Sequence, residues 1–317
     1  MTYRRPMPLQ HQVTIVMTLK RIAKLGSVKV GSGFPVRIMA AINVSPESFY
    51  GGSVANTPEK ISTMASKVST EGADIIDIGA MSTAPYLKNE ISQEVELTRI
   101  RTALRTIMEI DDVTVSVDTL RASVADVALK NGASIINDVS GLKNDARMAR
   151  VIKDYGASLL AMAHSSRTSK MAPIVQVRQA LSETMRIAER AGIDERYIVL
   201  DPGIGFFREE GAGRAYSPQK VMPWYEWDCH VLANLRKLET LRRPLCVGLS
   251  RKSFLGKILN LGNPEERLPA SLAATAVTVM NGAHMVRTHD VRETVQAVRV
   301  VEAMTRRRRG QRAGPVS

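Results

Sequence analysis

Short aliphatic and β-branched runs recur along this chain, each closing on a polar or charged side chain. Stretches with the 3.6-residue period of amphipathic helices separate them. The strand-like runs are 36–43, 74–79, 113–118, 134–138, 158–162, 197–201, 244–250 and 284–287. The helical stretches are 58–71, 93–109, 121–131, 145–155, 174–192, 228–241, 269–281 and 290–304. Continuous apolar strands alternating with helices predict parallel pairing with both faces covered, and this number of repeats predicts a closed (β/α)8 TIM barrel. A doubly wound open sheet is the alternative, although it more often uses fewer strands. Thr57-Pro58-Glu59 reads as a helix start. Gly-Ala pairs at 72–73, 132–133, 156–157 and 282–283 read as helix ends running into strands.

The pattern divides the chain into an N-terminal extension (1–33), a barrel (34–304) and a basic tail (305–317), for which a disordered solubilising end is the plain expectation. Within the extension, 13–19 and 28–30 suggest a hairpin turning at 24–27 and closing the bottom of the barrel. The connection 204–227, with Phe206, Phe207, Trp224 and Trp227, is long enough to form a partly ordered lid.

In a barrel the strand ends converge on one mouth, so their closing residues can be taken together. In order they are Asn43, Asp77 with Thr83 beyond it, Asp118, Asn137 with Asp138, His164, Asp201, Arg251 with Lys252, and Arg287 with His289. Unpaired buried polar groups cost a few kcal/mol each, roughly, so this concentration calls for a ligand dense in donors and acceptors. Asp118, Asn137, Asp201 and Lys252 suit a flat aminopyrimidine-type heterocycle, the carboxylates accepting from its ring N–H and amino groups. Val199 to Phe206 is the sharpest instance, an aliphatic run ending on Asp201 before a turn built on Pro202, Gly203 and Gly205. Arg287-Thr288-His289-Asp290, after the last strand, has the makings of an anion site, since barrels often bind phosphate there. Plainer readings compete: Asp290 as a helix cap, Ser250 to Ser253 as a solvated basic loop, and His164 and His284 as structural histidines.

A net charge of +13 favours acidic partners, phosphorylated small molecules or nucleic acid. Part of it belongs to Arg306, Arg307, Arg308, Arg309 and Arg312. With 4% aromatic residues and no interleaving of basic and aromatic positions, a stacking platform for nucleic acid is not expected. Cys229 and Cys246, the only cysteines, suit a reduced cytoplasmic setting better than a disulfide scaffold or a zinc site. No apolar run approaches the roughly 20 residues that span a bilayer, and residues 1–10 lack a signal-peptide core, so no membrane association is expected.

These residues carry a further pattern. Asn43-Val44-Ser45-Pro46-Glu47-Ser48-Phe49, Gly72 to Gly79 with Ser82-Thr83, Ser116-Val117-Asp118-Thr119 and Ile136 to Gly141 are its first pieces. Asp201 to Phe206, Ser250 to Phe254 and Arg287 to Val291 complete it. Together, over about 36–304, the sequence resembles dihydropteroate synthases, pterin-binding TIM-barrel enzymes of folate-type cofactor synthesis. The resemblance implies a transferase that joins a (7,8-dihydropterin-6-yl)methyl diphosphate to 4-aminobenzoate or a related arylamine, with loss of diphosphate. Carried over by motif, Asp118, Asn137, Asp201 and Lys252 would hold the pterin, and Thr83, Arg287 and His289 the diphosphate. Asn43 would help bind Mg2+, and Phe206 and Ser253 would border the arylamine. A homodimer pairing through barrel helices is also implied.

The sequence departs from the family in two loops. The family's Ser-Thr-Arg-Pro-Gly is here Ser82-Thr83-Ala84-Pro85-Tyr86, Glu47 stands where Asp is usual, and Tyr50 displaces the Ser-Asp after Phe49. Met162-Ala163-His164 replaces a Met-His pair. These changes point to a different, larger arylamine. Two other readings stay open at this stage: a pterin-dependent methyltransferase, which has no need of the Ser250 and Arg287 motifs, and a non-catalytic pterin-binding barrel.

Overall fold

The computed structural model describes residues 21–45, 54–81, 91–110, 112–164, 170–207 and 222–308. Eight parallel strands form the barrel: β3 (Arg37–Asn43), β4 (Ile75–Gly79), β5 (Val115–Asp118), β6 (Ile135–Asp138), β7 (Ser158–Met162), β8 (Ile198–Asp201), β9 (Cys246–Gly248) and β10 (Met285–Thr288). Neighbours in sequence are neighbours in the sheet, β10 returns to pair with β3, and a bridge between Leu200 and Leu245 joins β8 to β9. The outer layer comprises α1 (Pro58–Thr70), α2 (Gln93–Ile107), α3 (Ala122–Lys130), α4 (Met148–Tyr155), α5 (Pro173–Ala191), α6 (Trp224–Ala233), α7 (Ser253–Leu259), α8 (Leu268–Met280) and α9 (Val291–Arg308). The expected barrel is present, with strand ends displaced by no more than a few residues.

Two corrections concern local structure. The strand that pairs with β2 (Val28–Gly31) is β1 (Ile22–Leu25), in antiparallel register across Gly26-Ser27. The expected partner, 13–19, lies outside the described residues. Residues 24 and 25, read as turn, belong to the strand because the alternation Ala23–Leu25 buries two side chains on one face. Gly26 has φ +56°, and a Cβ there would stand 2.5 Å from Ser134 Oγ, so only glycine turns so close to the barrel. Second, α7 is a short helix that periodicity passed over. Seven residues make fewer than two full turns, too few to establish a stripe.

The hairpin does close the bottom. Ala23, Leu25 and Val30 pack with Met39, Ile75, Ile135, Leu160, Val199, Cys246 and Met285, one apolar plug across the base of the strands. The alternate residues of each strand, such as Ile38, Ile76, Ile136, Leu200 and Val286, join the larger core beneath the helices. Period two then dictates what comes next. Two residues beyond Ile75 is Asp77, beyond Ile135 is Asn137, beyond Val199 is Asp201 and beyond Met285 is Arg287. The inward file thus changes from apolar to polar within one step, and that step is the floor of the mouth.

Candidate functional site

Asp77 is the centre of the inward polar layer. It is fully buried and accepts from Ser116 Oγ at 2.6 Å, Asn137 Nδ2 at 3.0 Å and Arg287 Nε at 2.7 Å. Arg287 also faces Asp118, with Nη2 to Oδ2 at 3.6 Å. Asp118 Oδ1, in contrast, is buried with no hydrogen-bond partner. Burial and then Asp77 push the Asp118 carboxyl up to about 8, against the attraction of Arg287. Burial opposes the charge on Arg287, but Asp77 and Asp118 together outweigh it and raise its pKa. Four elements thus meet here: β4, β5, β6 and β10.

The Asn137 amide is oriented by this arrangement. Because Nδ2 donates to Asp77, the carbonyl Oδ1 is the end left for a ligand. Asp138, its neighbour, takes no part. Its carboxylate accepts from the Ser140 and Leu142 backbone N–H groups and the Ser140 hydroxyl, shaping the loop after β6.

Across the mouth, Asp201 Oδ1 accepts from Gly203 N–H at 2.7 Å. Burial raises its pKa, and Gly203, Lys252 and Arg287 oppose the rise. Lys252 Nζ lies 4.7 Å from the centre of the Phe206 ring, a cation over an aromatic face. Gly205, at φ +82°, is the residue that permits this approach, since a Cβ there would stand 3.2 Å from Lys252 Cδ. Its N–H donates to Asp228 Oδ1 on α6 at 2.9 Å. Phe207 and Trp227 stack with centroids 3.9 Å apart and are buried. The lid read from the aromatics is corrected at these two positions: they anchor the connection to the core, and residues 208–221 lie outside the described ones.

His289 Nδ1 is 3.1 Å from the Ala41 carbonyl. A carbonyl only accepts, so Nδ1 carries the hydrogen. Burial, then Arg287, pushes the ring down to about 4 and keeps it neutral. Arg251 corrects both readings of its loop: it is buried rather than solvated, and its guanidinium meets Asp290 rather than the mouth where it was expected with Lys252. Asp290 starts α9 through its backbone carbonyl, which accepts from Thr294, while its side chain serves Arg251. His284 Nδ1 accepts from the Leu245 N–H, and burial lowers the pKa of both His284 and His164 to about 4, in keeping with structural roles.

Asn43 ends β3 beside Gly79, where a Cβ would stand 3.4 Å from Asn43 Oδ1. Ser253 opens α7. Thr83, Glu47 and Ala84 lie outside the described residues. Among the described residues no group of three or more His, Cys, Asp or Glu side chains could hold a metal ion. An amide oxygen such as Asn43 Oδ1 is the hard donor that suits Mg2+, an ion that keeps most of its ligands from phosphate and water.

Comparisons with known proteins agree on one family. Residues 39–289 match the family model described as pterin binding enzyme. The dihydropteroate synthase of Clostridium beijerinckii is 34% identical over 285 residues, 90% of this chain and 100% of that protein. That of Escherichia coli is 36% identical over 272 residues, 84% of this chain and 90% of that protein. Among solved structures, a Clostridium difficile dihydropteroate synthase in the presence of pteroic acid superposes with a TM-score of 0.76 at 32% identity. It covers 86% of this chain and 98% of its own. The Xanthomonas albilineans dihydropteroate synthase with 4-aminobenzoic acid gives 0.77 at 29% identity, covering 90% and 98%.

Proposed function

This chain belongs to the pterin binding enzymes and, among them, to the dihydropteroate synthases, transferases of folate biosynthesis; on that premise we propose which residues carry the reaction. Asp118, Asn137, Asp201 and Lys252 hold the dihydropterin. What supports this is above all the buried Asp118 Oδ1, an acceptor without a protein partner, on the residue that pairs with Asn137 across β5 and β6. The side-chain oxygens of this pair take the ring and amino N–H groups, and Lys252 donates to the opposite edge. Arg287, His289 and Thr83 take the diphosphate, and Phe206 and Ser253 border the arylamine.

The neutral aniline nitrogen attacks the methylene carbon, the C–O bond breaks, and its electron pair leaves with the diphosphate. The nitrogen then gives up one proton. Positive charge grows on the pterin as this bond breaks; it favours the ionised forms of Asp118 and Asp201, whose pKa values burial raises in the empty protein, and these stabilise it in return. The neutral His289 ring, its Nδ1–H committed to Ala41, turns Nε2 to the diphosphate. The bound anion raises the ring's pKa, so that Nε2 takes a proton from solvent and donates it in a hydrogen bond to the anion. Asn43 is the residue we assign to Mg2+, which when bound with the diphosphate neutralises charge on the leaving group.

The acceptor is proposed to be an arylamine larger than 4-aminobenzoate, because Glu47, Ala84 and Tyr86 alter the loops that enclose it. Diphosphate release from the pterin substrate, measured with 4-aminobenzoate and with substituted arylamines, tests both parts. Release with a substituted arylamine should exceed that with 4-aminobenzoate. Equal, efficient turnover of plain 4-aminobenzoate would overturn the altered acceptor, and no release with any arylamine would overturn the residue assignment.

Ile258 and Leu259 on α7, Val277 and Met280 on α8, and Val300 and Met304 on α9 are large apolar side chains left exposed. They supply the face through which we propose that two copies pair. Sedimentation at micromolar concentration should return twice the 34.8 kDa chain mass, and a monomer there would refute the pairing. Two free cysteines, Cys246 buried, support placing the enzyme in the reduced cytoplasm. Among the described residues no helix is long and apolar enough to cross a membrane.

A further inference from the structure

We propose that Arg251 and Asp290 are positioning residues that fix the His289 loop against the Lys252 loop, so that the diphosphate end of the substrate is gripped in register with its pterin. The inference rests on the reading above, in which Lys252 and His289 touch the ligand. Arg251 is a non-glycine residue at φ +54°, a left-handed conformation that costs on the order of 1 kcal/mol and needs a reason. The reason lies in where the two consecutive side chains go. Lys252 reaches over Phe206, while Arg251 is buried on Asp290, with Nη2 to Oδ1 at 2.6 Å and Nε to Oδ2 at 2.9 Å.

Asp290 is the junction. Its Oδ2 also accepts from Ser250 Oγ at 3.1 Å, and Ser250 Oγ accepts from the His289 N–H at 3.3 Å. The β9 side of this junction has further anchors. Arg251 Nη1 donates to the Pro264 and Glu265 carbonyls, the Arg251 N–H donates to Ser271 Oγ, and Arg267 Nη1 donates to the Arg251 carbonyl. The Lys252 loop therefore keeps its place without Asp290, whereas the backbone of His289 is tied to β9 through Ser250 and Asp290. A buried ion pair is a weak stabiliser compared with a well-packed apolar pair, but its fork geometry fixes direction, which suits a positioning role.

A double-mutant cycle of Asp290→Asn and His289→Ala tests this. Affinities for the pterin diphosphate and for the same pterin bearing a free hydroxymethyl group are read by calorimetry on the full chain. Melting curves ensure that each variant is folded at the temperature used. Asp290→Asn should weaken the diphosphate ester by about tenfold and the free pterin by much less, and should cost nothing further in the His289→Ala background. The same loss in both backgrounds, or equal loss of both ligands, overturns the proposal. If His289→Ala alone leaves the ester unaffected, the diphosphate reading of His289 falls and the proposal falls with it. Should Asp290→Asn fail to fold, Arg251→Lys, which keeps the charge and loses the fork, carries the test. Weaker ester binding by that variant supports the pair, and wild-type binding overturns it.

Discussion

Asp201→Ala is expected to abolish measurable pterin binding while leaving the melting temperature within a few degrees of wild type. The side chain ends β8 in the mouth, and burial raises its pKa, so its charged form is held there at a cost to the empty protein. Its internal partner is the Gly203 N–H at 2.7 Å, whose loss costs about 1–3 kcal/mol, partly returned by removing a buried carboxylate. A bound pterin, by contrast, loses charge-assisted hydrogen bonds worth about 1.5–3 kcal/mol each. Two of them correspond to roughly a hundred- to ten-thousandfold in affinity. Calorimetry and a thermal melt on one sample separate the outcomes. A drop in stability comparable to a core truncation, with binding retained per folded molecule, would make Asp201 structural.

Arg287→Ala, unlike Asp201→Ala, is expected to damage fold and site together. Sequence alone would assign this residue to the diphosphate and predict loss of the diphosphate ester with the free pterin spared. In the structure its guanidinium serves Asp77 and Asp118 first. Its removal strands two buried carboxylates, and breaking a buried pair in this way costs about 3–5 kcal/mol. Both the ester and the free pterin should bind more weakly, since the pterin pocket itself is disturbed. The loss should also depend on pH. Asp118 is already raised to about 8 in the folded protein from 3.8, so within that window the folded state holds a proton that the unfolded chain has released. Stability therefore falls as pH rises through the window, and without Arg287 it should fall further and continue to higher pH. Urea unfolding of variant and wild type between about pH 5 and pH 9 gives the difference. A gap that does not widen with pH would show that Arg287 does not compensate these carboxylates.

Much of this molecule was legible along its sequence. A buried parallel strand advertises itself by an unbroken apolar run and a polar stop, which is why the eight strands of the barrel could be set down in order. The same stops place Asp77, Asp118, Asn137, Asp201 and Arg287 at or near the ends of their strands. What escaped were relations between distant residues. Asp77 was visible as a strand-end carboxylate, but its service to Arg287, 210 residues away, has no local signature. Register signals only that Asp77 joins the inward file, since Ile75 and Asp77 repeat the step of Ile135 and Asn137. The burial of Arg251, which the sequence offers either to the mouth or to solvent, is hidden for the same reason: Asp290 lies 39 residues on. The hairpin was found but its first strand misplaced, because two aliphatic stretches competed for one partner and only the two-residue turn at Gly26-Ser27 decides between them.

The bridge between Leu200 and Leu245 closes the barrel at its most thinly paired seam. Every other pair of neighbouring strands is laced by a ladder of three or more residue pairs, whereas β8 and β9 meet at this single bridge. Asp201 closes the strand on one side of the gap and Lys252 follows the strand on the other. The heterocycle proposed to be held by both would therefore span the pair of strands that the backbone itself joins at one bridge.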